Sequence, residues 1–331
     1  MEKKKFLNTD LEVSPICLGT VNYGTALGEK ESKAQISSFL DKGGNFIDTA
    51  HIYGSWVEGK SSPSEKTLGS WFKETGRRSD VILATKGAHP DWSHMDIPRV
   101  HAKDITHDLE ESLEHMNTDY IDLYFLHRDD PKVPVSEIID CLDDQVKEGK
   151  IRYYGCSNWK LDRLKQAHDY AVKKGSKGFV CNQLMLSLAD INFYNLPDKT
   201  FVLMDKETRE YQKEVGINAM AYMSIAKGFF TRKLAGENLP ESVTSVYENK
   251  TNTRIYEEAK KLVAKGKYDF INLSFLYILM QKDFPIVPIA SFDNEAQLVS
   301  GLASWDMEIP QELRDLASYK NYVYMSESES K

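Results

Sequence analysis

Short runs of β-branched and aromatic residues alternate along this chain with longer stretches where apolar residues recur every three or four positions. The first pattern suits a strand buried on both faces, the second an amphipathic helix. The runs predict strands at Ile16–Leu18, Asn45–Asp48, Val81–Lys86, Ile121–His127, Ile151–Ser157, Val180–Leu184, Ala219–Met223 and Ile286–Ile289. Ile36, Phe39 and Leu40 mark the helix after the first strand, which ends at Gly43–Gly44 where a left-handed cap is easy. Ile105, Leu109, Leu113 and Met116 mark another, and Val135, Ile138, Ile139, Leu142 and Val146 a third, stopped near Gly149.

Eight such alternations, without a break in composition, predict one α/β domain around a parallel sheet. A doubly wound sheet is the alternative to a closed barrel. A dinucleotide-binding sheet of that kind should carry G-x-G-x-x-G directly after a strand, and none is present. The count therefore favours a (β/α)8 TIM barrel spanning residues 1–325, with 326–331 as a disordered polar tail. Phe6–Ser14, with Asn8-Thr9-Asp10 at its centre, predicts an N-terminal β-hairpin before the barrel.

Composition narrows the partners. A formal charge of −8 over 331 residues argues against nucleic acid, which needs a basic face. The lysine-rich start, Met1 to Phe6, is followed by polar residues rather than the apolar core of a signal peptide. Phe270 to Met280 is the most apolar helical stretch, but it falls well short of the ~20 residues that span a bilayer. It predicts a buried helix, and no membrane partner is expected. Cys17, Cys141, Cys156 and Cys181 contain no C-x-x-C pair, so reduced thiols in a cytoplasmic compartment are expected. Oligomeric state is open.

In such a barrel, functional groups gather at the C-terminal strand ends and on the long loops of that face. The second strand ends in Asp48-Thr49-Ala50-His51-Ile52-Tyr53-Gly54, the third in Thr85-Lys86-Gly87 and the fourth in Leu126-His127. The fifth ends in Gly155-Cys156-Ser157-Asn158; the sixth carries Asn182-Gln183 and the seventh Tyr222-Met223-Ser224. Taken singly, each polar residue could be a cap, a turn or a satisfied core group. Together they put an acid, a phenol, an amine and an imidazole at one mouth. Free tyrosine, with a pKa of ~10, is a poor acid–base catalyst near neutrality. A buried ammonium beside it stabilises the phenolate, and a carboxylate holds that ammonium in place. Such a phenol can protonate an alkoxide forming at a carbonyl, but the hydride must come from a cofactor.

The motifs Asp48-Thr49-Ala50-x-x-Tyr53-Gly54, Ser64-Glu65-x-x-Leu68-Gly69, Thr85-Lys86, Ser112-Leu113, Tyr120-Ile121-Asp122-Leu123, Leu126-His127, Gly149-Lys150-Ile151-Arg152 and Gly155-x-Ser157-Asn158 are all present. Through them the chain resembles the aldo-keto reductase superfamily nearly end to end, from Gly19-Thr20 to about Leu302. The resemblance implies an NAD(P)(H)-dependent carbonyl reductase or alcohol dehydrogenase acting on a small aldehyde, ketone or sugar. Tyr53 would be the acid and base, Lys86 and Asp48 its tuning pair, and His127 the group beside the substrate oxygen. Ser157, Asn158 and Gln183 would bond the nicotinamide carboxamide, and Tyr222 would stack on the ring. Ser224, Ala226, Lys227 and Gly228 would approach the pyrophosphate. Gly19, Thr20, Asp48, Ser291, Asp293 and Gln297 complete the implied cofactor contacts. A relative that only senses the cofactor, as a channel β-subunit does, is the alternative, and epimerisation through a transient ketone is a third, weaker idea.

The chain departs from that pattern in three places. Strand seven usually continues Ser-Pro-Leu but here reads Ser224-Ile225-Ala226. Residues 55–63 are an insertion beside the mouth, which makes Trp56, Trp92 and Trp159 candidates for the substrate wall or for a surface contact. His89 and His94 share a loop with Trp92, but no third ligand supports a metal there. The polar stretch Lys227–Thr253 suits either a cover over the cofactor or a surface excursion. Finally, no Lys or Arg occurs from Asp283 to Leu313, where many relatives read the adenosine 2′-phosphate. NADPH is the family default; here weakened NADPH selectivity, or use of NADH, is expected.

Overall fold

The structure, a computed structural model, describes residues 2–281, 284 and 286–317. The expected tail at 326–331 lies outside them. A two-residue antiparallel ladder, β1 (Lys4–Lys5) with β2 (Glu12–Val13), forms the N-terminal hairpin, beginning two residues earlier than the sequence suggests. Its apolar residues Phe6, Leu11 and Val13 are buried against Phe46, Leu123 and Phe125 and stopper the N-terminal end of the barrel.

The barrel strands are β3 (Cys17–Gly19), β4 (Phe46–Asp48), β5 (Ile82–Gly87), β6 (Ile121–Leu126), β7 (Ile151–Ser157), β8 (Cys181–Met185), β9 (Asn218–Tyr222) and β10 (Ile286–Ala290). All pair in parallel in that order, and β10 closes on β3. Every end falls within one residue of the expected strand. Side chains alternate between two cores. Cys17, Phe46, Ala84, Phe125 and Met220 fill the barrel, whereas Leu18, Ile47, Leu83, Tyr124 and Leu126 pack outward on the helices.

Five helices link the first strands: α1 (Glu29–Asp41), α2 (Pro63–Thr75), α3 (Ala102–His115), α4 (Val135–Lys147) and α5 (Leu161–Lys174). Then α6 (Lys206–Val215) leads to β9. The β9–β10 connection holds α7 (Phe229–Leu234), α8 (Glu241–Tyr247), α9 (Lys250–Val263) and α10 (Phe270–Leu279). The chain finishes on α11 (Glu295–Ala303) and α12 (Gln311–Ala317). The expected buried helix is α10, and no helix among the described residues is long and apolar enough to cross a membrane.

The stretch after Lys227, expected as a cover or a surface excursion, is mostly helix. Phe229, Phe230, Val243, Val246 and Tyr247 anchor it in a second core with α10. Buried Asn252 ties it to the loop after β8: its side chain accepts from Asp190 N–H at 2.7 Å and donates to the Asp190 and Tyr247 carbonyls. The polar residues of the stretch thus serve internal bonds as well as solvent.

Candidate active site

Asp48 and Lys86 follow, by one strand repeat, residues that fill the barrel core, so the alternation carries both side chains inward at the C-terminal mouth. Both are buried, at a depth where an unpaired charge would be costly. The ammonium uses its three donors: to Asp48 Oδ2 at 2.6 Å, to the Thr49 carbonyl at 2.7 Å and to the Tyr53 hydroxyl at 3.0 Å. Asp48 Oδ1 accepts from Gln183 Nε2 at 2.7 Å, which brings a third strand, β8, into the cluster. The loop carrying Tyr53 is held by the Lys86 carbonyl, which accepts from His51 N–H, and by Ser62, whose hydroxyl donates to the His51 carbonyl at 2.7 Å.

Burial pushes the Tyr53 phenol above its ordinary value, with Lys86 opposing that push and Asp48 adding to it. The lysine's own loss of solvation is more than offset by Asp48 and Tyr53, so its pKa is raised and it stays charged. The resting pair is therefore a neutral phenol against an ammonium, the acid form of the couple.

His127 faces Tyr53 edge-on, with ring centroids 5.8 Å apart. Burial, then His89, Arg128 and Lys86, hold the imidazole well below its ordinary pKa, so it is neutral. Its Nδ1 is enclosed without a partner. A buried lone pair is less costly to leave unpaired than a buried N–H, which favours the tautomer with the proton on Nε2. The His127 carbonyl accepts from Arg128 Nη1 at 2.8 Å and from Asn158 Nδ2 at 3.4 Å. Arg128 is itself held by Asp198 at 2.8 Å and lies over the Phe201 ring. Arg128, next to His127, did not stand out from the sequence, and His89 stood out only as a metal ligand without a partner set.

The residues expected at the cofactor fall into two groups. Gln183 keeps a buried Oε1 with no partner, an acceptor suited to a carboxamide NH2. Tyr222 is half-buried and its hydroxyl donates to Asn158 Oδ1 at 2.5 Å. Asn158, left-handed at φ 63°, is already engaged, for Oδ1 also accepts from Val202 N–H. Ser157 donates to the Gln183 carbonyl at 3.2 Å. Ser224 is buried with its hydroxyl on the Ile289 carbonyl at 2.6 Å, a tie between strand ends. Ser291 likewise donates to the Gly19 carbonyl at 2.8 Å, and Thr20 to the Asp48 carbonyl at 3.0 Å.

After β9 the backbone is left-handed at Met223, Ala226, Lys227 and Gly228. Such turns aim successive N–H groups into concavities that suit anions. Asp293 N–H donates to Gln297 Oε1 at 3.0 Å, beside the N-cap of α11. No cation from that segment faces it, since the segment contains none. The donors and acceptors present fit a nicotinamide dinucleotide.

Of the three tryptophans expected at the wall, two stand at the mouth. Trp56 (38% exposed) and Trp92 (51% exposed) lie 5.8 Å apart, and Trp92 is 5.9 Å from His89. Trp159 does not join them. It is 0% exposed, packed on Phe179 and Arg163, with its indole N–H on the Arg128 carbonyl. The left-handed turn at Asn158 sends it into the helix layer, so it cannot line an open pocket.

Comparison with known proteins agrees with this fold. The model of the aldo/keto reductase family matches residues 15–316. The uncharacterized oxidoreductase YrpG of Bacillus subtilis is 34% identical over 244 residues, covering 72% of this chain and 71% of that one. A probable voltage-gated potassium channel subunit beta of Oryza sativa is 28% identical over 258 residues, covering 76% of this chain and 72% of that protein. The holo form of an aldo-keto reductase from Bacillus halodurans superposes with a TM-score of 0.73 at 23% identity, covering 99% of each chain. The chain belongs to the aldo/keto reductase family and is an NAD(P)H-dependent oxidoreductase.

Proposed function

Given that membership, we propose that the chain interconverts a carbonyl and an alcohol with Tyr53 as the acid in reduction and the base in oxidation. The observation that carries this reading is the buried chain from Asp48 through the Lys86 ammonium to the Tyr53 hydroxyl, at 2.6 and 3.0 Å. A bound reduced nicotinamide supplies the hydride that no side chain can. Gln183 Oε1 and the Tyr222 ring suit its carboxamide and its face, with Ser157 and Asn158 beside them. The left-handed turn at Ala226–Gly228, with Ser224 beneath it, suits the pyrophosphate. Gly19, Thr20, Ser291, Asp293 and Gln297 border the remainder.

In reduction, the Tyr53 hydroxyl donates its proton to the carbonyl oxygen as negative charge develops there, and the Lys86 ammonium stabilises the phenolate left behind. His127, neutral and with Nε2 as donor, orients that oxygen. Trp56 and Trp92 wall the mouth against the carbon skeleton of the substrate.

Tyr53→Phe tests the assignment. Turnover should fall by at least ~100-fold, while cofactor still quenches tryptophan fluorescence with a Kd near that of the unaltered protein. Unchanged turnover would remove Tyr53 from the proton path. A panel of carbonyls with no turnover on either cofactor would favour the alternative of a cofactor-sensing binding subunit.

A further inference from the structure

His89 sits on the loop that leaves β5, two residues beyond the strand whose Lys86 anchors the site. Its ring packs against His127 at 4.7 Å between centroids, at an interplanar angle of 62°. On its other side it meets Trp92. It is thus the link between the reacting centre and the aromatic rim. Its Nδ1 lies 2.7 Å from the Pro90 carbonyl. A carbonyl oxygen can only accept, so Nδ1 carries the proton. Burial, with Arg128 adding, holds the ring pKa down at about 4, so the ring is neutral and Nε2 carries a lone pair. That nitrogen makes no hydrogen bond and is not among the enclosed partnerless atoms. It is the accessible edge of the ring.

Two neutral imidazoles in contact therefore present opposite faces of the hydrogen bond. His127 offers Nε2–H and His89 offers an Nε2 lone pair. A plain aldehyde or ketone can use only the first, because a carbonyl has nothing to donate. A substrate with a hydroxyl on the carbon next to the carbonyl satisfies both: the carbonyl oxygen accepts from Tyr53 and His127, and the neighbouring hydroxyl donates to His89. An acceptor left unpaired against a desolvated methyl group carries a penalty of order 1–3 kcal/mol, which is how such a site rejects analogues lacking the hydroxyl.

We propose that His89 is a specificity-determining residue that selects α-hydroxy carbonyl substrates, and vicinal diols in the oxidative direction, by accepting a hydrogen bond from the hydroxyl beside the reacting carbon. The substrate hydroxyl keeps its proton throughout. The hydride and the Tyr53 proton go to the carbonyl carbon and oxygen as in the family reaction. This rests on the roles of Tyr53 and His127 proposed above.

The test compares matched pairs in which a hydroxyl replaces a methyl: hydroxyacetone against butanone, and glycolaldehyde against propanal. The unaltered enzyme should favour the hydroxylated member in kcat/KM by ~10-fold or more. His89→Phe should remove that preference through the hydroxylated substrate alone, mainly in KM, and leave the other member within about twofold. His89→Gln, which keeps an acceptor oxygen, should restore part of it. Circular dichroism and cofactor Kd should be unchanged in both variants.

Absence of a preference in the unaltered enzyme would overturn the proposal without any variant. So would a preference that survives His89→Phe, which would then belong to the carbonyl's own reactivity, or an equal loss on both members. Tyr53→Phe separates the two readings: it should silence every substrate alike, and activity there would sink the proton path while leaving the His89 comparison interpretable.

Discussion

The two halves of the barrel mouth are built differently. On the β4–β6 side the buried ion pair is fully met: Lys86 uses its three protons on Asp48, Thr49 and Tyr53, and Asp48 takes a further bond from Gln183. On the β9 side left-handed backbone is clustered at Met223, Ala226 and Lys227, against isolated cases at Ser62 and Ala88 on the other side, each at a cost of about 1–2 kcal/mol. The Asp48–Lys86–Tyr53 chain proposed for proton transfer is hydrogen-bonded within the protein itself. The turn proposed for the cofactor is held in a costly shape. The first half meets its buried charges with internal bonds, and the second gathers backbone strain into one turn whose N–H groups would suit an anion.

The sharpest break in that contrast is Lys86→Met. It leaves Asp48 buried without its cation, so stability should drop by ~3 kcal/mol in chemical denaturation. Turnover per folded molecule should fall by ~100-fold or more. The pH profile carries the sign. Reduction needs the protonated phenol, whose pKa burial already raises, so its rate should stay level through neutrality and fall only in alkali. Oxidation needs the phenolate and should rise in alkali. Without the ammonium that rise should move to still higher pH, and an unmoved profile would deny Lys86 its tuning role.

A middle-sized effect concerns the adenosine end. With no Lys or Arg from Asp283 to Leu313, kcat/KM with NADH should lie within about tenfold of that with NADPH. Asp293→Arg should move the ratio toward NADPH by several-fold. A strong NADPH preference in the unaltered enzyme would show that Lys227, Arg232 or Lys233 reads the phosphate from the β9 side.

The smallest expected effect isolates strain. Lys227 is exposed, at φ 53° and ψ 28°. Lys227→Gly and Lys227→Ala both lose the ammonium and should weaken cofactor binding alike. The glycine variant alone relieves the backbone and should unfold ~1 kcal/mol later than the alanine variant. Equal stabilities would mean that the turn is not strained.

The sequence made the hydrogen-bonded half legible and the strained half obscure. Strand ends could be placed within one residue because β-branched runs bounded by glycine and polar residues have few other readings. Asp48, Lys86 and His127 could be found because strand periodicity dictates where each points. Nothing in Met223, Ala226 or Lys227 announces a left-handed backbone, since their side chains argue against one. Trp159 was misplaced for the same reason: only the dihedral of Asn158 decides whether the next residue faces the mouth or the helices. His89 was read only as a metal ligand without partners, because its contact with His127 and its proton position, which Pro90 sets, arise only on folding. The polar run after Lys227 carried a helix signal in Val243, Val246 and Tyr247, spaced at three and four residues, but its short helices are outweighed by the polar residues around them.

The hairpin stopper has a practical consequence. Lys4–Lys5 and Glu12–Val13 lie at the barrel end opposite the chemistry, pinned by Phe6, Leu11 and Val13. A linker or surface attachment made through that end would present the mouth to bulk solution in a uniform orientation. The enzyme could then be read on an electrode or sensor chip with substrate access unhindered, and an attachment near Trp92 should serve as the obstructed control.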